Sequence, residues 1–89
     1  MVRYAIVYTK AAKKDIPKLK AAGLDQKARN LVALLMENPF QTPPTYEKLV
    51  GNLSEAYARR ISIQHRLVYQ VYEDVKTVKI VSMWSHYEF

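Results

Sequence analysis

Glu47, the adjacent pair Arg59-Arg60, Arg66 at the head of an apolar run, and His86 beside Tyr87 are the residues of this chain that could do chemistry. A carboxylate, guanidinium groups, an imidazole and a phenol are the parts of a metal-free site that cleaves RNA through its own 2′-hydroxyl. Such a site has three tasks. One group removes the hydroxyl proton, one stabilises the extra negative charge at phosphorus, and one protonates the leaving 5′-oxygen. A guanidinium fork suits a phosphate, and an aromatic face suits an unpaired base. With no cysteine and only His65 and His86 as imidazoles, the sequence carries no disulfide framework and no zinc signature. Neither a metal nor a cofactor is expected.

Each of these residues also has an ordinary reading. Glu47 taken alone fits a solvated acid after a proline turn. Arg59-Arg60 fit charges that keep an edge strand from pairing with other chains. His65 falls at a turn and is read as a structural hydrogen-bonding residue, while a lone terminal histidine such as His86 is commonly just exposed. Trp84 and the seven tyrosines suit core or interface packing.

The elements that must position these groups follow from periodicity. Arg3 to Tyr8 is a short run rich in Val, Ile and Tyr, and reads as a strand. Thr9 is a natural N-cap for a helix starting near Lys10, in which Pro17 should introduce a kink or begin a second part. Gly23 closes that helix and Asp25 caps the next, where Ala28, Leu31, Val32, Leu35 and Met36 recur at the spacing of one buried stripe. Asn38-Pro39 ends it. The segment Phe40-Gln41-Thr42-Pro43-Pro44-Thr45 is a stiff connector that delivers Glu47 and Lys48.

From Tyr57 onward the chain reads as three antiparallel strands, roughly Tyr57–Ser62, Arg66–Tyr72 and Val75–Ser85, joined by turns at Ile63-Gln64-His65 and Glu73-Asp74. Alternation puts Leu67, Tyr69 and Val71 on the helix-covered face of the middle strand and Arg66 on the open one. If Ile61 joins the core, Arg60 shares the open face with Arg66, and Arg59 must escape to the rim of the covered side. In the last strand Val78, Ile80, Ser82, Trp84 and His86 share one face. Both faces are partly apolar there, and a bulge would shift the assignment by one residue.

Composition sets the outer bounds. The 89 residues make one domain, and a chain of this length buries only about two-thirds of its unfolded surface. A hydrophobic fraction of 49% excludes a disordered chain. No stretch approaches the ~20 apolar residues of a membrane span, so no membrane contact and a cytoplasmic location are expected. The net charge of +6 is uneven, since residues 1–44 hold eight Lys/Arg against three acids and residues 45–89 hold six against five. A basic N-terminal half beside a nearly neutral chemical half suits a protein that grips a polyanion with one part and acts on it with the other. A solvated lysine face that keeps a small protein soluble has the same signature.

Gly51-Asn52-Leu53-Ser54, Arg59-Arg60-Ile61, His65-Arg66-Leu67-Val68-Tyr69 and Trp84-Ser85-His86-Tyr87-Glu88 together resemble the pattern of the Txe/YoeB toxins. These are ribosome-dependent mRNA interferases related to RelE, and with the N-terminal half the likeness covers almost the whole chain. The resemblance implies an α+β domain of order β-α-α-β-β-β, with two N-terminal helices on one face of a mostly antiparallel four-stranded sheet. It implies the toxin of a type II toxin–antitoxin pair, an endoribonuclease that cuts mRNA in the ribosomal A site. By position Glu47 matches the general base, Arg66 the phosphate-stabilising arginine and His86 the general acid, while Arg60 and Tyr87 match residues that hold the phosphate and stack on a base.

The implied partners are a cognate antitoxin, mRNA, and a ribosome whose rRNA meets the basic N-terminal helices, with a homodimer left open. Two other readings stay on the table: a ParE-like toxin that inhibits DNA gyrase by protein contact, and an RNA-binding module without turnover. The chain also departs from the family. Val50 stands where members often carry a lysine or another polar residue, and Lys48 is expected to supply the missing cation, joining Arg59, Arg60 and Tyr87 as substrate-binding residues. Glu55-Ala56-Tyr57 replaces a Gly-aromatic segment, and Glu88-Phe89 extends the chain past Tyr87.

Overall fold

Thr9 ends one element and starts the next. In the computed structural model, which describes residues 3–43, 45–48 and 56–86 but not the side chains of 85 and 86, strand β1 (Ala5–Tyr8) leads into helix α1 (Lys10–Ala21). The Thr9 hydroxyl accepts from the Ala12 amide at 3.1 Å, satisfying one of the unpaired donors of the first turn. Helix α1 continues through Pro17, which faces solvent. The proline costs about 3 kcal/mol in a helix interior. Burial of Ala12 and Leu19 on the opposite stripe offsets that cost, so the expected second part does not form.

Past the end of α1, Gly23 adopts φ +72, with its amide on the Lys20 carbonyl and the Leu24 amide on the Leu19 carbonyl. This is the paired closure of a Schellman motif, and it needs a residue that tolerates a left-handed backbone. A Cβ at this position would meet nothing within 4 Å, so the backbone conformation alone asks for glycine. Helix α2 (Asp25–Glu37) follows, and here the expectation for Asp25 is corrected. Leu24 holds the cap position without a side-chain hydrogen bond, and Asp25 lies inside the first turn, where its charge meets the positive end of the helix.

The sheet has five strands in the order β1-β5-β4-β3-β2, one more than the sequence suggests. The addition is β2 (Tyr46–Lys48), a three-residue edge strand antiparallel to β3 (Ala56–Arg60). Its brevity and its place after the proline connector leave it without any alternating signature. Strand β3 pairs antiparallel with β4 (His65–Tyr72), which pairs antiparallel with β5 (Thr77–His86), and β1 joins the far edge of β5 in parallel. Turns 61–64 and 73–76 connect β3 to β4 and β4 to β5. The core lies between the helices and one face of the sheet, where Ala12, Leu19, Ala28 and Leu35 meet Ile61, Leu67, Tyr69, Val71, Val78, Ile80 and Met83. Among the described residues no helix is long and apolar enough to cross a membrane.

Burial along β5 changes parity. Val78 and Ile80 are buried, and the next buried residue is Met83. The partners of β4 explain this, because Tyr69 faces Ile80 while Val68 faces Ser82 and Arg66 faces Ser85, so β5 carries one extra residue at each of two places. Alternation alone cannot follow a strand through such bulges. Two α1 groups hold the distortion. The Thr9 hydroxyl donates to the Val81 carbonyl at 2.7 Å, and Asp15 Oδ2 accepts the Met83 amide at 3.0 Å in a buried setting. Asp15 lies on the same helix stripe as Ala12 and Leu19, an otherwise unfavourable place for a carboxylate. Asp15→Leu should orphan the Met83 amide and cost about 1–3 kcal/mol. Urea denaturation checks this, and a midpoint equal to that of the parent would show that Asp15 does not hold the bulge.

Candidate active site

Three strands contribute to one small cavity on the sheet face turned away from the helices. Glu47 of β2 faces Ala58 of β3, Ala58 faces Val68 of β4, and Arg60 faces Arg66. Directly opposed residues share a face, so Glu47, Ala58, Arg60 and Arg66 gather on one side of the sheet. The cavity holds about 70 Å³ and is lined by Thr45, Glu47, Ala58, Arg60 and Arg66. Ala58 keeps the floor low. A larger side chain in that central position would fill the space between the carboxylate and the arginines.

Glu47 and Arg66 meet at 3.1 Å between Oε2 and Nη1. The Arg66 side chain is 16% exposed and that of Glu47 62%, so the arginine is braced by the sheet while the carboxylate reaches it from solvent. An exposed pair of this kind adds at most about 1 kcal/mol to stability. Arg60 is exposed and, among the described residues, has no carboxylate partner. Among its described residues the cavity therefore carries two arginines against one carboxylate, an excess that suits a phosphate.

The other expected site residues divide. Lys48 is exposed, but its partner is Tyr57 on the opposite parity from Glu47, and it does not line the cavity. Arg59 is corrected outright. It does not escape to a rim or meet a substrate, because it is fully buried. Its Nε donates to the Tyr69 hydroxyl at 3.2 Å, and its Nη2 donates to the Pro39 and Gln41 carbonyls at 2.9 and 2.8 Å. Its guanidinium lies 5.0 Å over the Tyr46 ring. Burial pushes the Tyr69 phenol above the ordinary tyrosine value against the pull of the Arg59 charge, and its hydroxyl donates to the Pro39 carbonyl at 2.8 Å. Arg59 thus ties the connector to the sheet, and through its partner Tyr46 it holds the strand that carries Glu47.

His65 is buried and stacked on Trp84, with ring centroids 3.8 Å apart, in keeping with a structural place. The backbone of His86 ends β5 opposite His65, and its side chain lies outside the description, as do Tyr87, Val50, Glu55, the 51–54 motif and residues 88–89. Sequence reasoning missed Thr45 and Ala58 as cavity lining. Neither residue type carries a chemical signal, and only the pairing of β2 with β3 brings them in.

The family model of the YoeB-like toxins of bacterial type II toxin–antitoxin systems matches residues 8–87, which includes every strand and helix around this cavity. The chain belongs to that family. Solved structures agree with the assignment of this YoeB-like toxin. A YoeB/ParE toxin from Agrobacterium tumefaciens superposes with a TM-score of 0.83 at 25% identity, over 93% of this chain and 99% of that one. The YoeB–YefM complex from Staphylococcus aureus gives 0.78 at 31% identity, over 96% and 99%. The YoeB dimer from the same organism gives 0.80 at 31% identity with the same coverage. No curated protein matches the chain.

Proposed function

We propose that this YoeB-like toxin is a ribosome-dependent endoribonuclease that cuts mRNA in the A site without a metal. The observation that carries the reading is the Glu47–Arg66 pair at 3.1 Å, set beside Arg60 on the sheet face turned away from the helices. An incoming phosphate competes with Glu47 for the Arg66 guanidinium, and the released carboxylate is then free to act as base toward a 2′-hydroxyl. In the proposed step Glu47 takes the 2′-hydroxyl proton, the 2′-oxygen bonds to phosphorus, and Arg66 with Arg60 stabilises the five-coordinate dianion. The bond from phosphorus to the 5′-oxygen breaks as His86 delivers a proton to that oxygen. A 2′,3′-cyclic phosphate and a free 5′-hydroxyl result. Tyr87 is assigned to stacking on a base of the message.

The staphylococcal relatives are described as a complex with YefM and as a dimer, and we assign this chain an antitoxin partner and a capacity to self-associate on that basis. The lysines of α1 are assigned to rRNA, and a cytoplasmic location follows from a ribosomal target. A gyrase-directed toxin or a plain RNA binder would have no use for a carboxylate poised on a phosphate-binding arginine.

The test is primer extension on a message translated in a cell-free system. Cuts at one fixed position relative to the A-site codon are expected with the wild-type protein, and expression without an antitoxin should arrest growth. Unchanged growth together with an uncut message would overturn the reading.

A further inference from the structure

We infer that the cavity between α2 and the end of β3 is a subsite for the nucleotide adjoining the scissile one in a single-stranded RNA. The inference rests on the RNA-cleaving function proposed above. The cavity has a volume of about 410 Å³ and is lined by Lys27, Asn30, Leu31 and Leu34 from α2, and by Arg60 and Ile61. Arg60 also lines the cavity that holds Glu47 and Arg66, so one basic residue borders both spaces.

The sizes of the two cavities assign different parts of a nucleotide to each. The space of about 70 Å³ beside Arg66 suits a phosphate-sized group, and a neighbouring sugar and base would gain from further surface beside it. The larger space offers what they need. Half-buried Leu31 and Leu34 with buried Ile61 give an apolar surface for a planar ring, of the kind that binds bases through their faces. Asn30 sits at the rim with its side-chain oxygen accepting from Gln26 at 3.0 Å, which leaves its amide hydrogens for the acceptors of a base edge. Among the described residues Lys27 and Arg60 are the charged ones of the lining, and no described acid joins them. A backbone crossing from one cavity to the other would pass Arg60 and end near Lys27, a path of matching charge.

The experiment is a nuclear magnetic resonance titration of the whole protein with 2′-O-methylated, and therefore uncleavable, single-stranded oligonucleotides. A dinucleotide is compared with trinucleotides extended by one nucleotide on either side, and with a trinucleotide lacking the added base. One of the two extensions should bind roughly tenfold more tightly than the dinucleotide. It alone should shift the Asn30 side-chain amide and the Leu31, Leu34 and Ile61 methyl signals, and Lys27→Glu should remove the length advantage.

Equal shifts with the base-free trinucleotide would make the cavity a plain anion site and overturn the proposal. If the signals of Glu47, Ala58 and Arg66 respond to every oligonucleotide while those of Asn30, Leu31 and Leu34 respond to none, the subsite falls and the RNA-cleaving reading stands. If none of these signals responds, the subsite falls, while the RNA-cleaving reading stands or falls by the primer-extension test on ribosomes.

Discussion

Arg66→Ala should lower mRNA cleavage ~10²–10³-fold while leaving the fold intact, because it removes a preorganised charge at the place where charge develops on phosphorus. The fold is expected to survive because Glu47, the described ion-pair partner of Arg66, is exposed, and a pair of that kind is worth at most about 1 kcal/mol. Arg66 faces Arg60 across the β3–β4 pair, so the alanine variant also relieves two neighbouring cations. The measurement is single-turnover cleavage on programmed ribosomes, with thermal unfolding followed in parallel. Glu47→Gln gives the complementary result. It should keep ribosome binding and lose cleavage ~10²–10⁴-fold, as expected for one acid–base group. A folded Arg66→Ala protein that cuts at the parental rate would make Arg66 a structural charge and remove the basis of the proposed mechanism.

Arg59→Ala is expected to act on the whole domain instead. The truncation leaves the Gln41 carbonyl without its Arg59 donor, strips Tyr69 and the Pro39 carbonyl of one bond each, and opens a void beneath Tyr46. Each lost partner in such a buried network costs about 1–3 kcal/mol, and the sum should reach about 3–5 kcal/mol. For a domain of this size that lowers Tm by roughly 15 °C or more. Arg59→Lys should recover only part of the loss, because one ammonium cannot reproduce a fork that reaches a hydroxyl and two carbonyls. Circular dichroism melts of the two variants check this. A near-parental Tm for Arg59→Ala, with RNA binding lost, would return Arg59 to the substrate surface.

Local chemistry determined what the sequence could show by itself. Thr9 as a cap, Gly23 as a left-handed stop and the apolar stripe of Ala28, Leu31, Val32 and Leu35 each depend on residues within a turn or two and appear as read, while Met36 stays outside the core cluster. The family pattern was legible for a similar reason, since fixed residue types at fixed offsets need no knowledge of packing. The catalytic candidates could be named from that pattern, but their grouping could not. Glu47 and Arg66 are 19 residues apart, and their contact exists only because β2 pairs with β3 and β3 with β4.

Tertiary structure alone decided the rest. The five-stranded count depends on an edge strand of three residues, which has too little length to show a period. The faces of β5 depend on two bulges held by Thr9 and Asp15 from a helix more than sixty residues earlier in the chain. Arg59 and Arg60 are adjacent and identical in type, yet one is buried under carbonyls and a tyrosine and the other lies open beside Arg66. Strand alternation sends neighbours to opposite faces. Which face receives a core, and which buried charge finds enough acceptors to remain there, is settled only by the elements that fold against it.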